Sequence, residues 1–206
     1  MRITGGVHRS RALIAPSGRA TRPTSDRVRE ALFGILSSAG AVTGARVLDL
    51  YAGTGALSLE ALSRGAARAT LVESGREAIA AARANITSLG LEAKARLFAL
   101  DVGRSTALLA REAESAPFDL AFADPPWALV DTGEAPRALA EIVAAGVLGA
   151  DAWVVLEHAS KTPPADVAGL TRASTRRYGD TALTFYKPAI LAPPRTDVSA
   201  GPPSSG

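Results

Sequence analysis

The chain has 206 residues with no cysteine, one methionine and two histidines, which excludes a disulfide framework, thiolate catalysis and a metal site of the usual ligand spacing. Its 47% hydrophobic and 21% charged residues are the balance of one globular domain with a full core. Neither a signal-peptide run nor a stretch of about eighteen uncharged apolar residues occurs, so a cytoplasmic protein is expected, not one of the membrane. The net charge of +3 is unevenly spread: residues 1–30 hold seven arginines against Asp26 and Glu30, a net of +5, and the remainder carries sixteen basic and eighteen acidic groups. Such a patch suits a polyanion, or else it is a solvated arm in a chain that uses Arg in place of Lys.

Residues 1–22 set Gly5, Gly6, Pro16 and Gly18 between short apolar pieces, which predicts a small basic hairpin or arm carrying Arg2, Arg9, Arg11 and Arg22. Thr24 or Ser25 can then cap a helix whose Val28, Ala31, Leu32, Ile35 and Leu36 share one face, with Arg27 and Arg29 off it. Residues 45–58, A-R-V-L-D-L-Y-A-G-T-G-A-L-S, organise the rest. The short apolar run reads as a buried parallel strand interrupted by Asp49, and Gly53 and Gly55 as a tight turn opening a helix from Ala56. Glycines there allow positive φ and close approach to a ligand, with the helix amides aimed at it; an ordinary strand-to-helix turn would look the same.

The helix from Ala56 ends at Gly65, a second strand ends in Glu73, and Ser74 can cap the next, alanine-rich helix, which stops at Gly90. A carboxylate about twenty residues beyond the glycines is placed to accept ribose hydroxyls. A third strand over 95–100 finishes on Asp101, and after a further helix a fourth, 118–123, finishes on Asp124-Pro125-Pro126-Trp127. Strand and helix in repetition predict an α/β domain with a mostly parallel sheet, whose ligands bind beyond the carboxyl ends of the strands. Asp49, Glu73, Asp101 and Asp124 would then gather on one rim. A helix over 135–145, a fifth strand over 153–156 before Glu157 and His158, and a closing hairpin of strands 170–178 and 182–187 complete a domain over 1–190. The Pro/Gly/Ser-rich residues 191–206 read as a disordered tail.

Two prolines after a strand fix the backbone and remove two donors, so their carbonyls can face a ligand as acceptors beside the Asp124 carboxylate. The indole of Trp127 adds a platform for a planar ring, a combination that fits a ring bearing an exocyclic NH₂; a rigid loop with a core Trp is the bland alternative.

V-L-D-L-Y-A-G-T-G, the acids Glu73 and Asp101, and D-P-P-W resemble the S-adenosylmethionine-dependent amino-methyltransferases. R-I-T-G-G at 2–6 and R-P-T-S-D-R-V-R-E-A-L-F at 22–33 are similar to the bacterial 16S rRNA guanine-N2-methyltransferases, over about residues 1–190. The glycine and D-P-P motifs identify only the superfamily; the 22–33 text is far more specific. Trp127 departs from the Tyr or Phe more common in that family. The resemblance implies a Rossmann-like class I fold of seven strands, the last antiparallel. It implies S-adenosylmethionine held by Asp49, Tyr51, Gly53, Gly55, Glu73, Asp101 and Val102, and a catalytic corner of Asp124, Pro125, Pro126 and Trp127. The target would be one guanine of 16S rRNA, met within a small-subunit ribonucleoprotein particle by a monomer, with Arg2, Arg9, Arg11, Arg22 and Arg27 on the RNA and no metal.

A nicotinamide dehydrogenase shares the glycine turn and the acid after the second strand, but Ser58 stands where its fingerprint has a third glycine and it has no use for the prolines. A DNA adenine-N6 methyltransferase would use the same corner with additional reading elements. A non-catalytic RNA-binding module would bind RNA but not S-adenosylmethionine.

Overall fold

The fold is that of a computed structural model which describes residues 1–15, 25–161 and 166–189. Arg22, the start of the 22–33 motif and the tail expected over 191–206 lie outside the described residues. The elements run α1 (Asp26–Ser38), β1 (Arg46–Leu50), α2 (Ala56–Ser63), β2 (Arg68–Glu73), α3 (Arg76–Leu89), β3 (Ala95–Ala99), α4 (Thr106–Ala113), β4 (Phe118–Ala123), α5 (Trp127–Asp131), α6 (Glu134–Ala144), β5 (Leu148–Ala159), β6 (Leu170–Tyr178) and β7 (Thr181–Pro188). The strands form one sheet in the order β3-β2-β1-β4-β5-β7-β6. β1 to β5 pair in parallel, and β7 is antiparallel to both its neighbours, so the expected reversed strand lies inside the sheet between β5 and β6.

The alternation of side chains along a strand divides the core into two layers. Val47 faces the layer of α1, α2, α3 and the N-terminal hairpin, whereas Leu48 and Leu50 face that of α4, α5 and α6. Both faces of β1 are therefore covered, as the apolar residues Val47, Leu48 and Leu50 on its two faces require. Asp49, two residues from Val47, points into the α2 layer, where it meets Ser58.

Residues 1–15 form a hairpin, but one fastened to the domain. Arg2 and Ala12 make an antiparallel bridge, and Ile3 and Leu13 are buried in the core. Thr4 donates its backbone N–H and hydroxyl to Glu60 at 2.7 and 2.8 Å. Gly6, at φ +78°, lies so close to α2 that an added Cβ would be 1.8 Å from the Ser63 carbonyl oxygen; that carbonyl accepts from the Val7 N–H at 2.8 Å.

Four expectations are corrected. Arg29 is fully buried, because its guanidinium reaches Glu60 at 3.4 Å, Asp26 at 2.7 Å and the Arg2 carbonyl. Ser74 does not cap α3: the N-cap is Gly75, and the Ser74 and Gly75 amides turn back to Glu73. β5 is twelve residues long, not four, because an irregular register between Phe118 and Leu120 lets β4 pair with Leu148 and again from Trp153. The Trp127 loop begins a helical turn, α5.

Candidate active site

The carboxyl ends of β3, β2, β1 and β4 are neighbours in the sheet, so Asp101, Glu73, the glycine turn and Asp124 follow one another along one rim. At about 4.8 Å per strand the rim is roughly 15 Å long. Its floor is pinned by the Ala52 N–H to Val72 and the Asp124 N–H to Leu50, at 3.0 and 3.3 Å.

The turn after β1 is built from left-handed backbone. Gly53 and Gly55 have φ of 56° and 78°, and Tyr51 between strand and turn has φ of 61°. A non-glycine residue there costs on the order of 1–3 kcal/mol and is found where surrounding structure imposes it. The pKa of the half-buried Tyr51 hydroxyl is pushed up to about 12, chiefly by burial and then by the negative charges of Asp101 and Glu134.

Asp49 is 1% exposed. Its Oδ2 accepts from the Ser58 N–H at 3.1 Å and the Ser58 hydroxyl at 2.7 Å, which fastens β1 to the first turn of α2. Its Oδ1 is buried without a protein donor. Burial pushes the carboxyl up to about 7 against the pull of Ser58, and the like charges of Asp124 and Glu73 add to the rise. An orphaned acceptor of this kind, beside amides at a helix start, suits a cationic ligand group.

Glu73 accepts from the Gly53 N–H at 2.7 Å on Oε2, and from the Ser74 and Gly75 amides at 2.9 and 2.7 Å on Oε1. A carboxylate has about four acceptor directions, so one, on Oε2, is left for a hydroxyl. Asp101 is exposed and caps the turn at Val102–Arg104 through the Gly103 N–H at 2.9 Å. Val102 is 3% exposed with its side chain in the core, so any ligand contact falls to its backbone.

At the corner after β4, Pro125 is buried, Pro126 exposed and Trp127 half-buried. The Pro126 carbonyl accepts from the Leu129 N–H at 2.9 Å. It therefore turns into α5 rather than facing a ligand, and the expectation of two outward proline carbonyls is reduced to Pro125.

Of the basic residues, Arg2, Arg9 and Arg27 line one cleft of about 470 Å³ with Asp26 and Glu30. Arg2 lies 3.7 Å from Asp26. Arg11 points elsewhere and donates to the Ser88 carbonyl on α3 at 2.7 Å. His158 is 1% exposed and bonded to Thr184 and the Ala159 carbonyl at 2.8 and 2.9 Å, a structural role. Ser58 went unrecognised in the sequence, where it stood only for a missing glycine; a hydroxyl three residues past the turn and nine past a buried acid was its signal.

Order of strands, glycine turn, acid after β2 and Asp-Pro-Pro after β4 together define a class I methyltransferase fold. Within that class, the chain belongs to the family described as "Conserved hypothetical protein 95", whose model matches residues 1–187. It is 33% identical over 189 residues to the "Putative rRNA methyltransferase YlbH" of Bacillus subtilis, covering 91% of this chain and 98% of that protein. Over 127 residues it is 42% identical to "Ribosomal RNA small subunit methyltransferase D" of Escherichia coli, 62% of this chain and 60% of that one. Among solved structures, "Putative methyltransferase yhhF from Escherichia coli" matches with a TM-score of 0.72 and 33% identity, covering 91% and 97% of the two chains.

Proposed function

We propose that this chain is an S-adenosylmethionine-dependent methyltransferase of the exocyclic N2 of one guanine in 16S rRNA, acting as a cytoplasmic monomer on a small-subunit particle. The observation that carries the reading is the rim itself: a buried carboxylate with an orphaned oxygen, a glycine turn tied to a second carboxylate, and the Asp124-Pro125 corner on adjacent strands. The names of the relatives favour rRNA as the substrate class.

In this reading Asp49 Oδ1 takes the ammonium of the cofactor, Gly53 and Gly55 pass beneath its methionine part, and Glu73 takes one ribose hydroxyl. Asp101, Tyr51 and the Val102 backbone bound its adenine end. When bound, the cofactor supplies an electrophilic methyl group. The guanine amine is a poor nucleophile because its lone pair is delocalised into the ring. Asp124 and the Pro125 carbonyl accept its two N–H bonds and favour a pyramidal nitrogen, Pro126 and the short helix α5 hold that backbone, and Trp127 fixes the plane of the flipped base. The nitrogen becomes acidic on methylation, and Asp124 or water takes the proton. Arg2, Arg9 and Arg27 meet RNA phosphates from the hairpin side, and Arg11 and Arg22 are assigned to RNA as well.

The test is transfer of a tritiated methyl group to small-subunit particles, naked rRNA and DNA, followed by nucleoside analysis. N2-methylguanosine from the particle is expected, with Asp124→Ala slower by about 10²–10⁴. Trp127→Phe should retain most activity and Trp127→Ala little, since stacking is worth roughly 1–3 kcal/mol per base. A product methylated anywhere but an exocyclic amine overturns the mechanism.

A further inference from the structure

Helix α3 buries one side-chain amide among alanines and aliphatic residues. Asn85 is fully buried beside Ala81, Ala82, Ile86 and Leu89, where an unpaired amide would be costly. Its partners are specific. Oδ1 accepts the Ile14 N–H at 2.7 Å, and Nδ2 donates to the carbonyls of Ile14 and Thr54, each at 3.1 Å. One N–H and two carbonyls around it leave a single consistent orientation of the amide. The pair of bonds to Ile14 copies the pairing of an adjacent strand, and the third reaches the middle residue of the Gly53-Thr54-Gly55 turn.

One side chain thus joins the end of the N-terminal hairpin to the glycine turn. The other hairpin anchors described above, Glu60 and Ser63 on α2 and the Ser88 carbonyl on α3, hold the hairpin in place without bonding to that turn. A turn with two left-handed glycines has much conformational freedom to lose. Whatever orders Thr54 presents its carbonyl to Asn85, and whatever orders Ile14 presents the amide to Thr54. A coupling of this kind acts equally in both directions.

We propose that Asn85 is a positioning residue that couples the cofactor turn to the N-terminal hairpin, so that S-adenosylmethionine and RNA each raise the affinity for the other. The proposal rests on the reading of the turn as the cofactor cradle and of the hairpin as the RNA contact.

The test measures affinity for S-adenosylhomocysteine, which cannot transfer a methyl group, with and without small ribosomal subunits. In the unmodified protein the subunits should tighten it about fivefold, the worth of one net hydrogen bond. Asn85→Leu, which removes all three bonds while keeping the number and branching of side-chain heavy atoms, should abolish that ratio, and Ile14→Pro, which removes the N–H but leaves the Ile14 carbonyl as an acceptor, should reduce it. A merely structural role would lower stability and both affinities while leaving the ratio at its original value, and that result overturns the proposal, as does the absence of any tightening in the unmodified protein when subunits bind. A second arm needs no RNA: S-adenosylhomocysteine alone should slow exchange of the Ile14 amide proton about fivefold, and should not do so in Asn85→Leu. If subunits neither bind nor accept methyl groups, the rRNA reading fails while the exchange arm still decides the coupling, and exchange indifferent to the ligand overturns it.

Discussion

The pH dependence of cofactor binding follows from Asp49. Its carboxyl is pushed up to about 7, chiefly by burial and further by the like charges of Asp124 and Glu73. At pH 5.5 about 3% of the molecules carry the carboxylate and at pH 7.5 about three quarters, a ratio of about 25, or about 2 kcal/mol. If Oδ1 receives the ammonium of S-adenosylmethionine, only the ionised form binds well. Affinity should therefore rise about 25-fold from pH 5.5 to 7.5, then level off as the ligand's own α-amino group loses its proton near 7.7–8.0. Calorimetry in two buffers of different ionisation enthalpy checks this directly, since binding at pH 6.5 must release a proton. Asp49→Asn should bind weakly and with little pH dependence over the acidic half of that range. Affinity that is flat from pH 5.5 to 7.5, or proton uptake on binding, would refute the assignment of the ammonium to Asp49.

The same shift acts on stability. A folded pKa above the unfolded value near 3.8 gives stability that is fully present below about pH 4 and lost as pH rises through 7; Asp49→Asn should remove about 2.5 kcal/mol of the decline between pH 5 and 8 in urea titrations. Glu73→Ala should weaken cofactor binding by roughly 1.5–3 kcal/mol by calorimetry, and unchanged affinity would remove the ribose assignment. Gly6→Ala puts a Cβ 1.8 Å from the Ser63 carbonyl oxygen at positive φ and should cost at least about 2 kcal/mol in chemical denaturation. Neutralising Arg2, Arg9 and Arg27 should flatten the salt dependence of RNA binding by about 0.7–0.9 for each phosphate no longer neutralised, with cofactor affinity unchanged; an unaltered slope means that the cleft does not meet RNA.

Local rules made much of this protein legible from its residues. The apolar run of β1, Ser25 as the cap of α1 and Gly90 at the end of α3 act over a few residues each, and alternation of strand with helix leaves few topologies open. Placement of the acids followed from that order, since every parallel strand delivers its carboxyl end to the same rim. What tertiary structure alone decided are partnerships across long stretches of chain. Arg29 has the spacing of a solvent-facing residue on α1, yet is buried because Glu60, thirty-one residues on, lies opposite. Glu73 was legible as an acid at a strand end, but not as the acceptor of three backbone amides, one from the glycine turn at Gly53 and two from Ser74 and Gly75 before α3. Asn85 sits seventy-one residues from Ile14 and thirty-one from Thr54. A buried polar group must find its partner wherever packing brings a donor or acceptor near, and sequence periodicity reports which face of a helix is covered, not by what.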